Sequence, residues 1–194
     1  MSIGQRWFLL GFVLALGAGW GVFPLTLYRA EEQPLQFSHR THTGESLGLA
    51  CTDCHALDEE GTFVGLPSTQ RCLECHSTSL GESQEEGRFL TSYGETEEEI
   101  PWKVYARQPD NVWFPHAPHL LGAELECSEC HGQHGDSQGL RALEVNRISG
   151  YSRDIWGPRL GGALWGPPQG MKMDRCIDCH AKRGGPEGCI ACHR

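Results

Sequence analysis

The chain has 194 residues and a formal charge of −9, which argues against nucleic acid or an anionic lipid surface as its partner. Its 25 glycines and 11 prolines make up nearly a fifth of the sequence. Outside the first thirty residues long apolar-periodic stretches are scarce, so a large aliphatic core is excluded and one or two small domains are expected.

The first predicted element is a membrane helix. Residues 7–28, "WFLLGFVLALGAGWGVFPLTLY", contain no charge between Arg6 and Arg29, and a bilayer span needs about 20 apolar residues. A cleaved signal peptide has a shorter apolar core of about 7–15 residues. Here the small residues from Ala15 to Ala18 lie inside the run rather than after it. The expectation is an uncleaved transmembrane anchor over 7–28, with residues 1–6 and Arg6 on the cytoplasmic side. Gly11, Ala15 and Gly19 fall at i, i+4 and i+8, a stripe of small residues of the kind that lets a second membrane helix approach.

After the anchor, five copies of Cys-x-x-Cys-His follow: Cys51, Cys54 and His55; Cys72, Cys75 and His76; Cys127, Cys130 and His131; Cys176, Cys179 and His180; Cys189, Cys192 and His193. They use all ten cysteines, leaving none for a disulfide. A bare Cys-x-x-Cys suits zinc or a redox dithiol, but the adjoining histidine is the attachment signature of c-type haem. Two thioethers clamp the porphyrin, and the histidine is held beneath the iron. Zinc has no need of a histidine directly after the second cysteine. Five such histidines by chance have odds on the order of one in three million, so five covalently bound c-type haems are expected.

The chain has ten histidines. The five outside the motifs, His39, His42, His116, His119 and His134, match in number the second axial positions of five irons, which predicts bis-histidine ligation of most of them. Met171 and Met173, just before the fourth motif, stand as alternative distal ligands. The last motif ends one residue before Arg194, so its second ligand must come from far upstream. Iron then laces distant parts of the chain together, and the chain without haem is expected to be unfolded.

Two of these histidine pairs sit in matching frames, "FSHRTHTGESLGLACTDCH" from Phe37 and "FPHAPHLLGAELECSECH" from Phe114. The repeat divides the body into a two-haem part, 29–86, and a three-haem part, 87–194. The seam falls in residues 81–101, where Glu85, Glu86, Glu97, Glu98 and Glu99 read as a solvated loop. Residues 138–169, with Trp156 and Trp165, hold no ligand candidates and read as a surface for partner subunits. The fold class expected is a multihaem cytochrome c with little regular secondary structure, short helices and loops around haems, plus one N-terminal transmembrane helix.

The Phe-x-His-x-x-His…Cys-x-x-Cys-His cassette resembles the class III cytochromes c, the c3 and c7 group. That resemblance implies that His39 and His116 serve the haems of the motifs that follow them, and that His42 and His119 reach other haems. The single anchor, five motifs and the stretch "IPWKVYARQPDNVWFPHAPH" together resemble the multihaem subunit of alternative complex III and of Qrc, the menaquinone reductase complex. This implies a place in the bacterial inner membrane with the haem domain in the periplasm. It also implies an NrfD-like polytopic subunit and an iron-sulfur/molybdopterin-family subunit as partners.

Three functions follow for comparison. One is an electron wire between a periplasmic cytochrome c, c3-like or otherwise, and quinone-reactive subunits, with no bond-making chemistry of its own and a lean toward menaquinone reduction. Another is a self-sufficient quinol dehydrogenase resembling the NapC and NrfH family. The third, a haem enzyme reducing nitrite or hydroxylamine, needs a vacant axial position that ten ligands for ten sites do not supply. The acidic body fits a basic soluble redox partner. The first reading is preferred.

Overall fold

The computed structural model describes residues 2–153 and 171–193. The chain opens with a helix, Ile3–Gly17, capped by Ser2, whose hydroxyl accepts from the Gln5 amide while the Gln5 side chain accepts from the Ser2 amide. The helix continues through a π-turn, Ala18–Val22, and a last turn, Phe23–Thr26. Ile3–Val22 is long and apolar enough to cross a membrane, and none of it is buried against the rest of the chain. The stripe of Gly11 and Gly19 faces open space.

The helix runs directly into strand β1, Tyr28–Glu31, which pairs antiparallel with β2, Leu143–Asn146, placing Tyr28 opposite Asn146. Arg153 stacks its guanidinium over the Tyr28 ring at 4.3 Å and bonds Glu144 at 3.0 Å. The stretch expected to be a partner surface therefore spends part of its length fastening the foot of the apolar helix. Trp156, Trp165 and the rest of 154–170 lie outside the described residues.

Elsewhere the chain is loop and short helix, as its glycine and proline content implies. Each of the five motifs touches a helix: Cys51–Cys54, Thr69–Leu73 ending within the second motif, Cys127–His131, Met173–Arg183 and Cys189–Cys192. The Cys-x-x-Cys spacing sets both thiols within one turn. The longest motif helix ends at Gly184, whose φ of 73° is the left-handed C-cap that glycine provides.

Apolar packing is slight. Leu35, Phe89 and Ile100 are the buried hydrophobic residues among those described, with Cys72, Leu73, Leu90, Tyr93 and Trp102 packed around them. This corrects the reading of residues 81–101 as a solvated loop. Gln84–Phe89 is a helix capped by Ser83, and it runs on into a π-turn, Leu90–Gly94. The expected boundary between residues 86 and 87 falls inside that helix. Glu99 accepts from the Thr69 amide at 3.0 Å and the Glu98 carbonyl from the Thr69 hydroxyl at 2.7 Å. Acidic composition hid the buried Phe89 and Ile100 that tie this segment to the second motif.

Candidate haem-binding sites

Metal–imidazole bonds are about 2 Å long, so two imidazoles on opposite faces of one iron have ring centres about 6.3 Å apart. Five pairs stand near that spacing, and four of them join a motif histidine to one outside the motifs. His39 and His55 are 6.5 Å apart with ring planes within 15°, and His116 and His131 are 6.5 Å apart within 7°. His119 and His180 are 6.0 Å apart within 19°; His42 and His76 are 6.1 Å apart at 54°.

The two cassettes build this in the same way. Phe37 meets His39 edge-on at 5.0 Å and stacks on His42 at 4.4 Å; Phe114 meets His116 edge-on at 5.0 Å and lies 4.6 Å from His119. The Nδ1 of His42 donates to the Ser38 carbonyl at 2.8 Å, and that of His119 to the Pro115 carbonyl at 2.8 Å. Such bonds fix the tautomer and leave Nε2 free for a metal. His180 Nδ1 bonds the Pro186 carbonyl at 2.7 Å, and His39 Nδ1 bonds the Ser137 hydroxyl at 3.0 Å.

Burial keeps several of these rings neutral. It lowers His39 to about 4, with His55, His134 and His42 adding to the effect. His55, His116 and His131 are pushed down in the same direction, mainly by burial. A neutral imidazole is the form that ligates.

His134 stands apart from the four pairs. Its ring is 6.4 Å from His39 at a tilt of 48° and 6.0 Å from Tyr105, on a short turn, His134–Asp136, packed against the helix His39–Thr43. His193 is exposed and has no imidazole at pair spacing among the described residues. Met171 lines a cavity of about 280 Å³ with Cys130 and Cys179, and Met173 is exposed.

The motifs form a row in space. Arg71, beside the second motif, donates to the Asp53 carbonyl of the first at 2.7 Å, and Cys54 neighbours Cys72 and Cys75. Cys51 neighbours Cys127 of the third motif, and the Phe63 ring lies 6.1 Å from His55 and 5.4 Å from His116. Arg183 of the fourth motif's helix bonds Glu129 of the third at 2.8 Å. Cys176 neighbours both Cys130 and Cys192 of the fifth motif. The order is second, first, third, fourth, fifth. The sequence offered no signal for Phe63, whose role depends on a long-range contact.

The ten cysteines form no disulfide. Among the described residues no three His, Cys, Asp or Glu side chains converge as a site for a bare metal ion. A two-sided imidazole pair beside two free thiols fits haem and does not fit tetrahedral zinc.

Comparison with known proteins bears on this geometry. The cytochrome c3 family model matches residues 41–142, more than half of the chain. The chain belongs to the cytochrome c3 family. This cytochrome is 38% identical to the menaquinone reductase multihaem cytochrome c subunit of Nitratidesulfovibrio vulgaris (strain Hildenborough), over 98% of its own length and 90% of the relative's. It is also 31% identical to the acrylate reductase cytochrome subunit of Shewanella woodyi, over 65% of its own length and 78% of the relative's. The cytochrome is thus a multihaem electron-transfer protein with covalently bound c-type haems, built from short helices and loops, and similar in sequence to subunits of larger reductases.

Proposed function

We propose that this cytochrome carries five haems and passes electrons between a periplasmic cytochrome c and the quinone-reactive subunits of a respiratory membrane complex, in the direction of menaquinone reduction. The observation that supports it best is the row of motifs with four imidazole pairs already at the spacing of one iron. Bound haem supplies a one-electron couple at each iron. The chain's part is to tether, ligate and align. Cys51 and Cys54, Cys72 and Cys75, Cys127 and Cys130, Cys176 and Cys179, and Cys189 and Cys192 form the thioethers. His39 with His55, His42 with His76, His116 with His131, and His119 with His180 would each hold one iron between two imidazoles, which would leave no open site there for bond-making chemistry. His193 would hold the fifth iron from one side, with Met171 and Met173 the candidates for its other side; His134 lies at the haem site of the first motif, 6.4 Å from His39.

Charge supports the choice of partner. Residues 29–101 hold 15 of the 25 acidic residues and 4 of the 16 basic ones, whereas residues 102–194 are near balance, with 10 and 11. The acidic end of the row carries the first and second motifs. A basic cytochrome would be steered there. The apolar helix Ile3–Val22 anchors the chain beside an NrfD-like polytopic subunit and an iron-sulfur/molybdopterin-family subunit, with the haem domain in the periplasm.

The test is purification from native membranes in mild detergent, with every co-purifying subunit identified by mass spectrometry. A polytopic quinone-site subunit and an iron-sulfur subunit are expected, and the haems should exchange electrons with the menaquinone pool in stopped flow. A chain that purifies alone and still oxidises a quinol analogue would replace this reading with the NapC and NrfH type.

A further inference from the structure

Where the Nδ1 partner of an axial candidate is described, it is a carbonyl or hydroxyl oxygen in every case but one. His76 donates its Nδ1 proton to the Glu86 carboxylate at 2.7 Å. The carboxylate is firmly held. Its Oε1 also accepts from the Leu80 amide at 2.8 Å, and its Oε2 accepts from the Gly81 amide at 3.1 Å and the Ser79 hydroxyl at 3.4 Å. The side chain is only 9% exposed, folded into its own loop close to the molecular surface. Phe89, three residues on, meets the His76 ring edge-on at 6.2 Å and so helps fix its plane.

We infer that Glu86 sets the reduction potential of the haem on Cys72 and Cys75, making it harder to reduce than it would be with a neutral acceptor. The inference rests on the axial ligation proposed above. A carboxylate draws the Nδ1 proton more strongly than a carbonyl and makes the imidazole a stronger donor. Stronger donation favours the ferric state, since hydrogen bonding around the axial ligand is one of the means by which a protein tunes its haem. The His42 ring opposite is held by the Ser38 carbonyl, so the extra donation comes from the His76 side alone. Glu86 is a positioning residue: it touches the ligand, not the iron.

The experiment compares Glu86→Gln with Glu85→Gln in the full haem-loaded chain. Glu85 bonds Arg88 and the Gln36 amide, so its variant controls for lost charge. Peptide mass spectrometry counts the attached haems, electron paramagnetic resonance reads their spin state, and a potentiometric titration gives the midpoints. In Glu86→Gln the haems stay attached and low-spin. One midpoint rises, by an oxidised-to-reduced ratio of about tenfold, or about 59 mV for one electron. Glu85→Gln shifts none.

Unchanged midpoints in a haem-loaded, low-spin Glu86→Gln protein would overturn the inference while leaving the ligation intact. A wild-type peptide bearing Cys72 and Cys75 without haem would overturn both. If Glu86→Gln does not assemble, proton NMR of the reduced wild-type protein decides. The Nδ1 proton of His76 lies downfield of those of His42 and His119 if Glu86 acts as inferred, and alongside them if it does not.

Discussion

At the scale of single residues, the second histidine of each cassette is the most informative. His119 is twelve residues ahead of His131, yet its ring stands over His180, sixty-one positions away in sequence. Replacement of His119 by alanine should therefore turn high-spin the haem on Cys176 and Cys179, not the nearer one on Cys127 and Cys130. Electron paramagnetic resonance of the ferric protein, combined with a variant lacking the fourth motif, checks this. The low-lying histidines give a pH dependence as well. Burial lowers His39 from an ordinary value of 6.5 to about 4 in the folded chain, and iron held on its Nε2 would oppose protonation further. The unfolded chain therefore binds the extra proton first, and stability falls as pH drops below 6.5 while staying flat above. Denaturation midpoints should agree at pH 7 and 8, fall at 5.5 and fall further at 4.5. The sequence made the motif residues legible because covalent attachment fixes their spacing. It did not reveal Glu86, which looked like one member of an acidic run, because its partner His76 is met only when a helix turns back.

At the scale of elements, the helix Gln84–Phe89 and its π-turn carry what little apolar core there is. Phe89→Ala removes the largest member of a three-residue cluster. A cost of about 3 kcal/mol, the low end for a buried phenylalanine, is expected because so small a cluster can collapse around the gap. A guanidinium titration of the holoprotein reads it. The glycine pair after the fourth motif has two separate duties. Gly184 supplies the left-handed cap, and Gly185 lies so close to His180 that an added Cβ would stand 2.8 Å from its Cγ. Gly185→Ala should displace the His180 ring and shift the midpoint of the fourth haem, leaving the haem on Cys51 and Cys54 unchanged, as a potentiometric titration would show. Such contacts could not be read from spacing. The cassette repeat was legible because both copies keep the same frame of phenylalanine and histidines. The strand pair that fastens the apolar helix joins segments more than a hundred residues apart, with no periodicity to announce it.

At the scale of the whole molecule, charge and motif order point the same way. The acidic excess lies in residues 29–101, at the end of the row that carries the second motif. The rate of reduction by a basic cytochrome should therefore fall steeply with ionic strength. Charge reversal at exposed Glu59 and Glu60 should flatten that dependence, whereas reversal at Glu124 should leave it nearly unchanged; stopped-flow rates from low to high salt measure both. Net charge was visible in the sequence, but its concentration at one end of the row became meaningful only with the fold.

The order second, first, third, fourth, fifth has a bearing on how such a chain can lengthen or fail. Its middle joint is made by Cys51, Cys127 and Phe63, and its two free ends are the second motif and the last. Loss of the last nineteen residues would shorten the conductor and leave it continuous. Damage at Cys51, though close to the start of the haem-bearing part, would sever it in the middle and strand one haem on the acidic side. The chain's tail can thus be extended or trimmed one station at a time, while its early cassette must stay whole.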